Sequence, residues 1–529
     1  MRIYCIKNEL ITPAVQYTFE FLLARSGFFY QWLTNGSVKI TTGIILSYGK
    51  NIQASRTPRL HLPRYYDPLN PAREKAEWQE FLTDDIRLPV LGLSNDSHSE
   101  IPFDLIATVF FFLSRMEEKD FRHPDDADRF YRESILYQYG QYRLPVVDML
   151  AAWFARKIRA LFRKHNQPYL CKSDFPDGKQ MGLAFTHDVD ITRAYNPLRR
   201  TFLKWKSPEQ KQIVTQAEDD IWSFDRLLPF YKEKGWKATF NFIPRRWEDL
   251  HYRYNIKTSR FRQLIKRLQE EGHEIGLHPS RYAFDHPQRY AREKKRLESV
   301  TGHPVLGIRQ HYLRALYPSL WRTVENIGLK YDATLAFRRQ AGFRGGICTP
   351  FKCFDNQENR PLGCMEFPTA FFESSLPGDG QDEEPAIEAI YHFFEITQKY
   401  RGLLTILWHP SNIWRVPFWN RLWREIIEQT ERYQPYIATL KQHYDWQIAR
   451  ERMDINSLKF DGKIIEVIIQ THLKEQKIDV KIFGADECVR ASGGKMIPIE
   501  ENNQKGYRIV CEGNALSLEV DHIPDKTNR

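Results

Sequence analysis

Cysteine is scarce in this chain: seven among 529 residues, an odd number with no dense spacing. That excludes a disulfide framework and suits a reducing compartment. Cys348, Cys353 and Cys364 lie near one another in sequence but lack the CxxC spacing of a structural zinc site. Long hydrophobic runs are missing too. The longest, Leu105 to Leu113, is interrupted by Thr108 and is too short to cross a bilayer, so no membrane span is expected. The N-terminal stretch from Met1 to Glu9 breaks its apolar positions with charge and shows no signal-peptide core. A soluble cytoplasmic protein is the expectation. Internal repeats and low-complexity tracts are absent. So is a strong excess of one charge: the formal net charge of +10 is modest for this length, and no motif that reads DNA or RNA accompanies it. A nucleic-acid partner is not expected.

What the chain does contain is the material of large cores. Hydrophobic residues make up 42% and aromatic residues 14%, with 13 Trp and 26 Tyr, which excludes a disordered chain. Some of those rings could serve as sugar-stacking platforms. Basic residues gather at Arg193, Arg199, Arg200, Lys204, Lys206 and Lys211. Such a cluster is most often a solvated face, but it could also meet an anionic polymer, a membrane surface or a sugar phosphate.

Periodicity divides the chain into three parts. Residues 1–175 mix an extended run at Val38–Leu46 with helical patterns at Pro102–Glu118 and Leu144–Arg163, and read as an α/β domain. The polar, turn-rich segment Lys172–Lys179 closes it. Residues 176–450 repeat strand then helix, with strand candidates at 181–187, 237–243, 273–278, 305–311, 331–336, 364–369 and 402–408. The clearest helix is 258–271, where Phe261, Leu264, Ile265 and Leu268 share one face and Gly272 follows as the stop. Regular alternation of short apolar strands with helices implies a parallel sheet or barrel. Seven strands is one short of the eight-stranded barrel. Residues 451–529 show short alternating runs between turn residues, the pattern of a small antiparallel β-sandwich.

Three of the strand candidates end in chemistry. The apolar run Met181–Phe185 leads into Thr186-His187-Asp188-Val189-Asp190. Gly272-His273-Glu274-Ile275-Gly276-Leu277 leads into His278-Pro279-Ser280, and Leu403–Trp408 leads into His409-Pro410. Strand ends that gather carboxylates and imidazoles are where α/β barrels keep their reactive groups. His273, at a strand start, reads as structural. Strand alternation points His187 away from the side Asp188 faces, leaving it between core residue and ligand.

The order of these motifs resembles the polysaccharide deacetylases, carbohydrate esterase family 4, over roughly residues 180–445. Thr186–Asp190 stands where that family has its first Asp-containing strand end. Lys237-Ala238-Thr239-Phe240-Asn241-Phe242 resembles its Ala-Thr-Phe-Phe strand, and Gly272–His278 its metal motif. Gly307–Arg314 stands at its arginine motif, and Ile406–Pro410 at its final His-Pro motif.

The resemblance implies a deformed seven-stranded (β/α) barrel, here a divergent branch with extra N- and C-terminal domains. It implies a metal-dependent hydrolase that removes acetyl groups, N-acetyl first, from a polysaccharide or glycan precursor. Asp188 is then the catalytic base, Arg309 its orienting partner and His409 the general acid. Asp190 and His278 are metal ligands, the metal being a divalent ion and Zn²⁺ by expectation. Val189 stands where the family has its second Asp, and Tyr282 where it has its second His, so the third ligand is left among Asp285, His286, His187 and His311. Trp408, Tyr282 and Tyr312 are candidate substrate contacts. The competing expectations are an amide hydrolase of a small nitrogenous metabolite and a non-catalytic glycan-binding barrel.

Overall fold

The structure, a computed structural model, describes residues 2–34, 43–49, 57–70, 77–94, 99–121, 132–193, 197–244, 254–284, 286–378, 382–460, 464–471, 478–484, 489–501, 504–511, 513 and 515–521. The N-terminal part is built on a parallel sheet in the order Tyr30–Leu33, Ile3–Ile6, Ile44–Tyr48, Arg59–Leu62. The extended run expected at Val38–Leu46 lies partly outside the described residues, and its visible part begins the strand Ile44–Tyr48. Helix Pro13–Arg25 makes the crossover. Thr12 accepts the Val15 amide and Pro13 opens the first turn, two features of helix starts.

The helix expected over Pro102–Glu118 is shorter. It spans Leu105–Leu113, and Arg115, at φ 55°, turns left-handed before a 3₁₀ turn at Met116–Glu118. Helix Val146–Lys164 buries Val147, Leu150, Phe154 and Ile158 against the same core. That core continues without a break into the central sheet.

The central sheet sets the functional site. Along the ladder the order is Phe351–Asp355, Arg360–Glu366, Tyr331–Asp332, Gly307–Ile308, Glu274–Leu277, Ala238–Phe242, Gly182–Val189, Leu403–Leu407, Thr369–Phe372. Every neighbouring pair is parallel except the hairpin of the first two strands. The fold is thus α/β with a mainly parallel sheet. It departs from the expected seven-stranded barrel because no ladder closes its two ends among the described residues. The reason lies at 364–369, expected as one strand. Pro368 has no N–H to donate to a ladder, and the chain breaks there into Arg360–Glu366 and Thr369–Phe372. The first pairs with Tyr331–Asp332 and the second with Leu403–Leu407, so two residues of chain join opposite ends of the sheet. The helix expected at 258–271 spans Ser259–Glu270 and packs the same four apolar residues inward.

The C-terminal part consists of two antiparallel four-stranded sheets. One runs Met453–Phe460, Ile464–Thr471, Ala515–Asp521, Val489–Ser492, and the other Lys495–Glu501, Gln504–Cys511, Ile478–Phe483, Tyr169–Lys172. Ile465, Val467 and Ile469, alternating along one strand, meet Ile478, Val480 and Ile482 of the other sheet in a common cluster. The edge strand Tyr169–Lys172 comes from ahead of the central sheet in sequence, so the second sheet is completed by residues some 300 positions upstream of its other strands.

Candidate active site

The strand Gly182–Val189 is buried along its whole length, and alternation decides what each residue at its end does. Thr186 and Asp188 face one way. His187 faces the other, donating from Nδ1 to the Trp408 carbonyl at 2.7 Å, accepting the Tyr231 hydroxyl at Nε2 at 2.7 Å and stacking on Phe240. Burial pushes its pKa down to about 3, so the ring is a neutral core group with both nitrogens used, removed from the ligand set left open by the sequence.

Asp188 Oδ1 accepts the Asn241 amide at 2.8 Å and the Arg309 guanidinium at 3.2 Å. Asn241 fits because residue 276 is glycine: a Cβ there would stand 2.0 Å from Asn241 Oδ1. Arg309 is itself fully buried and also bonds the Thr186 and Thr369 hydroxyls and the Ala333 carbonyl. Burial alone would raise the Asp188 pKa, but His278, Arg309 and His409 outweigh it and the carboxyl is held below its ordinary value. Asp188 stays ionised.

Asp190, one pleat further on, is surrounded by three imidazoles. His278 Nε2 lies 3.3 Å from its Oδ1, while His311 Nε2 and His409 Nε2 lie 3.5 Å and 3.4 Å from its Oδ2. Against the cost of burial, these rings hold Asp190 well below the ordinary carboxylate range. Ligand atoms of Asp190, His278 and His311 all lie within 4.8 Å of one another. His278 donates from Nδ1 to the Arg309 carbonyl at 2.6 Å, which turns its Nε2 toward Asp190. His278 Nε2 and Asp190 Oδ1 are buried without a hydrogen-bond partner. Two such atoms at that separation need a proton or a cation between them. A buried Asp-His-His set in which Asp190 Oδ1 and His278 Nε2 are left unsatisfied fits a zinc-type site.

His311 reaches this position through unusual backbone. The 3₁₀ turn His311–Leu313 has Tyr312 at φ 59° and Leu313 at φ 52°, two consecutive non-glycine residues in the left-handed region. Such conformations cost energy and gather at functional sites. The Tyr312 ring stacks on His311 at 4.2 Å between centroids.

His409 completes the group. Its Nδ1–H donates to Glu373 Oε1 at 2.6 Å, and Asn412 donates to the same oxygen. Burial disfavours the charged ring, but Glu373 and Asp190 dominate and its pKa lies well above the ordinary histidine value. The Glu373 carboxylate on Nδ1 favours the charged ring, and Nε2 is turned to the cluster.

Other residues singled out in the sequence lie elsewhere. His286 is exposed at the start of helix Pro287–Thr301, away from the cluster, and Asp285 lies outside the described residues. Trp408 is fully buried against Trp423, so as a substrate contact it is corrected to a core residue. Tyr282 is 49% exposed on the loop after His278, and Tyr312 is partly exposed beside His311. Sequence reasoning missed Asn241 and Glu373. The signal for both was a polar residue placed within or just after an apolar strand, Phe240-Asn241-Phe242 and Phe371-Phe372-Glu373.

Residues 206–331 match the polysaccharide deacetylase family. Residues 3–163 match a family of unknown function, DUF7033. No curated protein matches the sequence. Similar solved structures include a candidate polysaccharide deacetylase from Mycobacterium smegmatis, 19% identical with a TM-score of 0.36, covering 53% of this chain and 94% of that one. A CE4-family pseudoenzyme from Bacillus anthracis is 11% identical, with a TM-score of 0.28 over 51% of this chain and 67% of its own. A candidate polysaccharide deacetylase involved in O-antigen biosynthesis from Bordetella bronchiseptica is 12% identical, with a TM-score of 0.26 over 52% of this chain and 92% of its own. The matched span 206–331 holds His278, Arg309 and His311, and the fold brings Asp188, Asp190, Glu373 and His409 to them from outside it. The chain carries a polysaccharide deacetylase domain, with a DUF7033 domain on its N-terminal side.

Proposed function

We propose that this protein is a metal-dependent deacetylase that hydrolyses N-acetyl groups on a glycan or glycan precursor, with O-acetyl groups as the second choice. On this reading the open central ladder is a deformed (β/α) barrel and the two C-terminal sheets are a β-sandwich. The observation that carries it is the convergence of Asp188, paired with Arg309, and His409, paired with Glu373, on one cluster of Asp190, His278 and His311.

Asp190, His278 and His311 would hold a divalent ion such as Zn²⁺, which when bound polarises the acetyl carbonyl and lowers the pKa of water. The chain's own groups do the proton work. Asp188, kept ionised by Arg309 and oriented by Asn241, takes the proton of the attacking water. The acetyl C–N bond breaks as His409 delivers its Nε2 proton to the sugar nitrogen, leaving acetate and a free amine. Glu373 keeps the opposite proton on Nδ1, so the ring that remains is one defined neutral tautomer. Tyr282, half-exposed beside the site, offers a face on which a sugar ring can stack.

The test is acetate release from N-acetylated oligosaccharides by purified, Zn²⁺-loaded protein, with elemental analysis of the same sample. Bound metal with acetate release abolished in Asp188→Asn supports the reading. Stoichiometric metal with no release from any N- or O-acetylated sugar would sink it.

A further inference from the structure

Beside the site stands a feature that acetyl hydrolysis does not use. Helices Pro197–Lys206 and Pro208–Ile221 are joined through Ser207, whose hydroxyl accepts the Gln210 amide and starts the second helix. The two pack on each other, and Val214 and Ile221 are buried beneath them. Three large apolar side chains nevertheless face solvent on this hairpin: Trp205 is 90% exposed, Phe202 67% and Ile213 55%. Phe202 and Trp205 are three residues apart and share a helix face. Phe202 and Ile213 stand five and six residues from Ser207 on either side, which puts them at one level of the hairpin. Isolated exposed apolar residues need no explanation, but a group of them does.

Over residues 197–221 the hairpin carries five basic and four acidic residues, three of the acidic ones gathered at its C-terminal end in Glu218, Asp219 and Asp220. Arg200 and Lys204 share Glu218, at 3.3 Å and 3.6 Å, while Lys206 and Lys211 are exposed and form no ion pair among the described residues. An exposed Trp and Phe flanked by lysines is the composition of helices that lie in a membrane interface, where the rings enter the headgroup layer and lysine stems reach around them. The placement is suited to substrate delivery as well. Helix Pro208–Ile221 packs against the turn Pro410–Asn412, which directly follows His409.

We propose that the hairpin 197–221 docks this protein on an anionic lipid surface through Phe202, Trp205 and Ile213, with Lys206 and Lys211 on the headgroups. The docked site then faces glycan held at that surface, such as a lipid-linked precursor. This last point rests on the proposed deacetylase function, whereas the docking does not.

Co-sedimentation of the full chain with phosphatidylcholine vesicles, with and without 30% phosphatidylglycerol, tests it. The expected result is binding to the anionic vesicles that weakens at high salt, roughly fivefold weaker for each lysine changed to glutamine. Phe202→Ser with Trp205→Ser should reduce binding at least tenfold with an unchanged melting temperature, since both side chains are already in water. Brominated acyl chains should quench tryptophan fluorescence in the wild type and much less in Trp205→Phe. Failure to bind anionic vesicles overturns the proposal, as does binding that the double variant leaves intact. Dimerisation lost in the double variant, with no vesicle binding, would assign the patch to a second copy. Reduced hydrolysis of a soluble acetylated oligosaccharide in that variant, again without vesicle binding, would make the hairpin a lid. Both of these results overturn membrane docking. Because sedimentation requires no turnover, its outcome is independent of whether the site deacetylates.

Discussion

The backbone carbonyl of Arg309 accepts the Nδ1–H of His278 at 2.6 Å, and that bond fixes which imidazole nitrogen faces Asp190. The side chain of the same arginine lies 3.2 Å from Asp188. One residue therefore serves the cluster through its main chain and the base through its guanidinium, and substitution can separate the two. Arg309→Ala keeps the carbonyl but strips Asp188 of its buried cation. Leaving one member of a buried pair unmatched typically costs about 3–5 kcal/mol. Metal content at saturating Zn²⁺ should stay near that of the wild type, while urea unfolding shows a loss of that order and turnover drops steeply. A variant that keeps full activity would remove Arg309 from the mechanism.

The Asp190, His278 and His311 cluster makes the second prediction. Alanine at any one of the three should lower bound metal, measured by elemental analysis, to a small fraction of wild type. His286→Ala, on the exposed start of its helix, should leave it unchanged. Chelation should lower the melting temperature of the wild type but not of the three cluster variants, because only a site that binds metal couples it to stability.

Glu373 and His409 are predicted to act in sequence. His409→Gln removes the proton donor, and general acid–base groups are worth ~10²–10⁴-fold in turnover. Glu373→Gln keeps an oxygen to accept the Nδ1–H but removes the charge that favours the charged His409 ring. Its turnover should fall by less, and the pH above which activity declines should move down, as read from a kcat profile. A profile that does not move would leave Glu373 as a packing residue.

These residues also show what sequence can and cannot reveal. The strand ends at Asp188, His278 and His409 were readable because each follows a local apolar run, and the helix at Ser259–Glu270 because its inward face repeats at 3.6 residues. His311 was only one of four candidates for the third ligand. It reaches Asp190 through two left-handed residues, a geometry no pattern in Arg309–Leu313 announces. Glu373 lies 36 residues before His409, and only the parallel pairing of Thr369–Phe372 with Leu403–Leu407 makes them neighbours. The break at Pro368 was visible as a residue, but that it joins opposite ends of the sheet is a property of pairing. Trp408 misled because an aromatic beside a reactive histidine looks like a pocket wall, whereas strand alternation turns it into the core.

The last prediction concerns stability and pH. His443, on helix Leu440–Arg452, is buried and donates from Nε2 to the Leu183 carbonyl at 3.2 Å. Burial pushes its pKa down to about 4, whereas in the unfolded chain it titrates near its ordinary value of about 6.5. Between those values the unfolded chain binds a proton that the fold refuses, so stability rises with pH and is lost as pH falls below about 6.5. From pH 6.5 to 5 the loss from this one ring is about 2 kcal/mol. His273, pushed down to about 4, and His187, to about 3, act in the same direction. Asp104, raised to about 6, and Glu117, raised to about 7, act against them, because the fold holds their protons where the unfolded chain releases them. The total curve therefore mixes both signs, and a difference isolates the ring. His443→Gln keeps an N–H to offer Leu183 and does not titrate. Urea unfolding at pH 6.5 and pH 5 should show the variant losing about 2 kcal/mol less than the wild type over that interval. Equal losses in the two proteins would mean that His443 takes up its proton inside the fold.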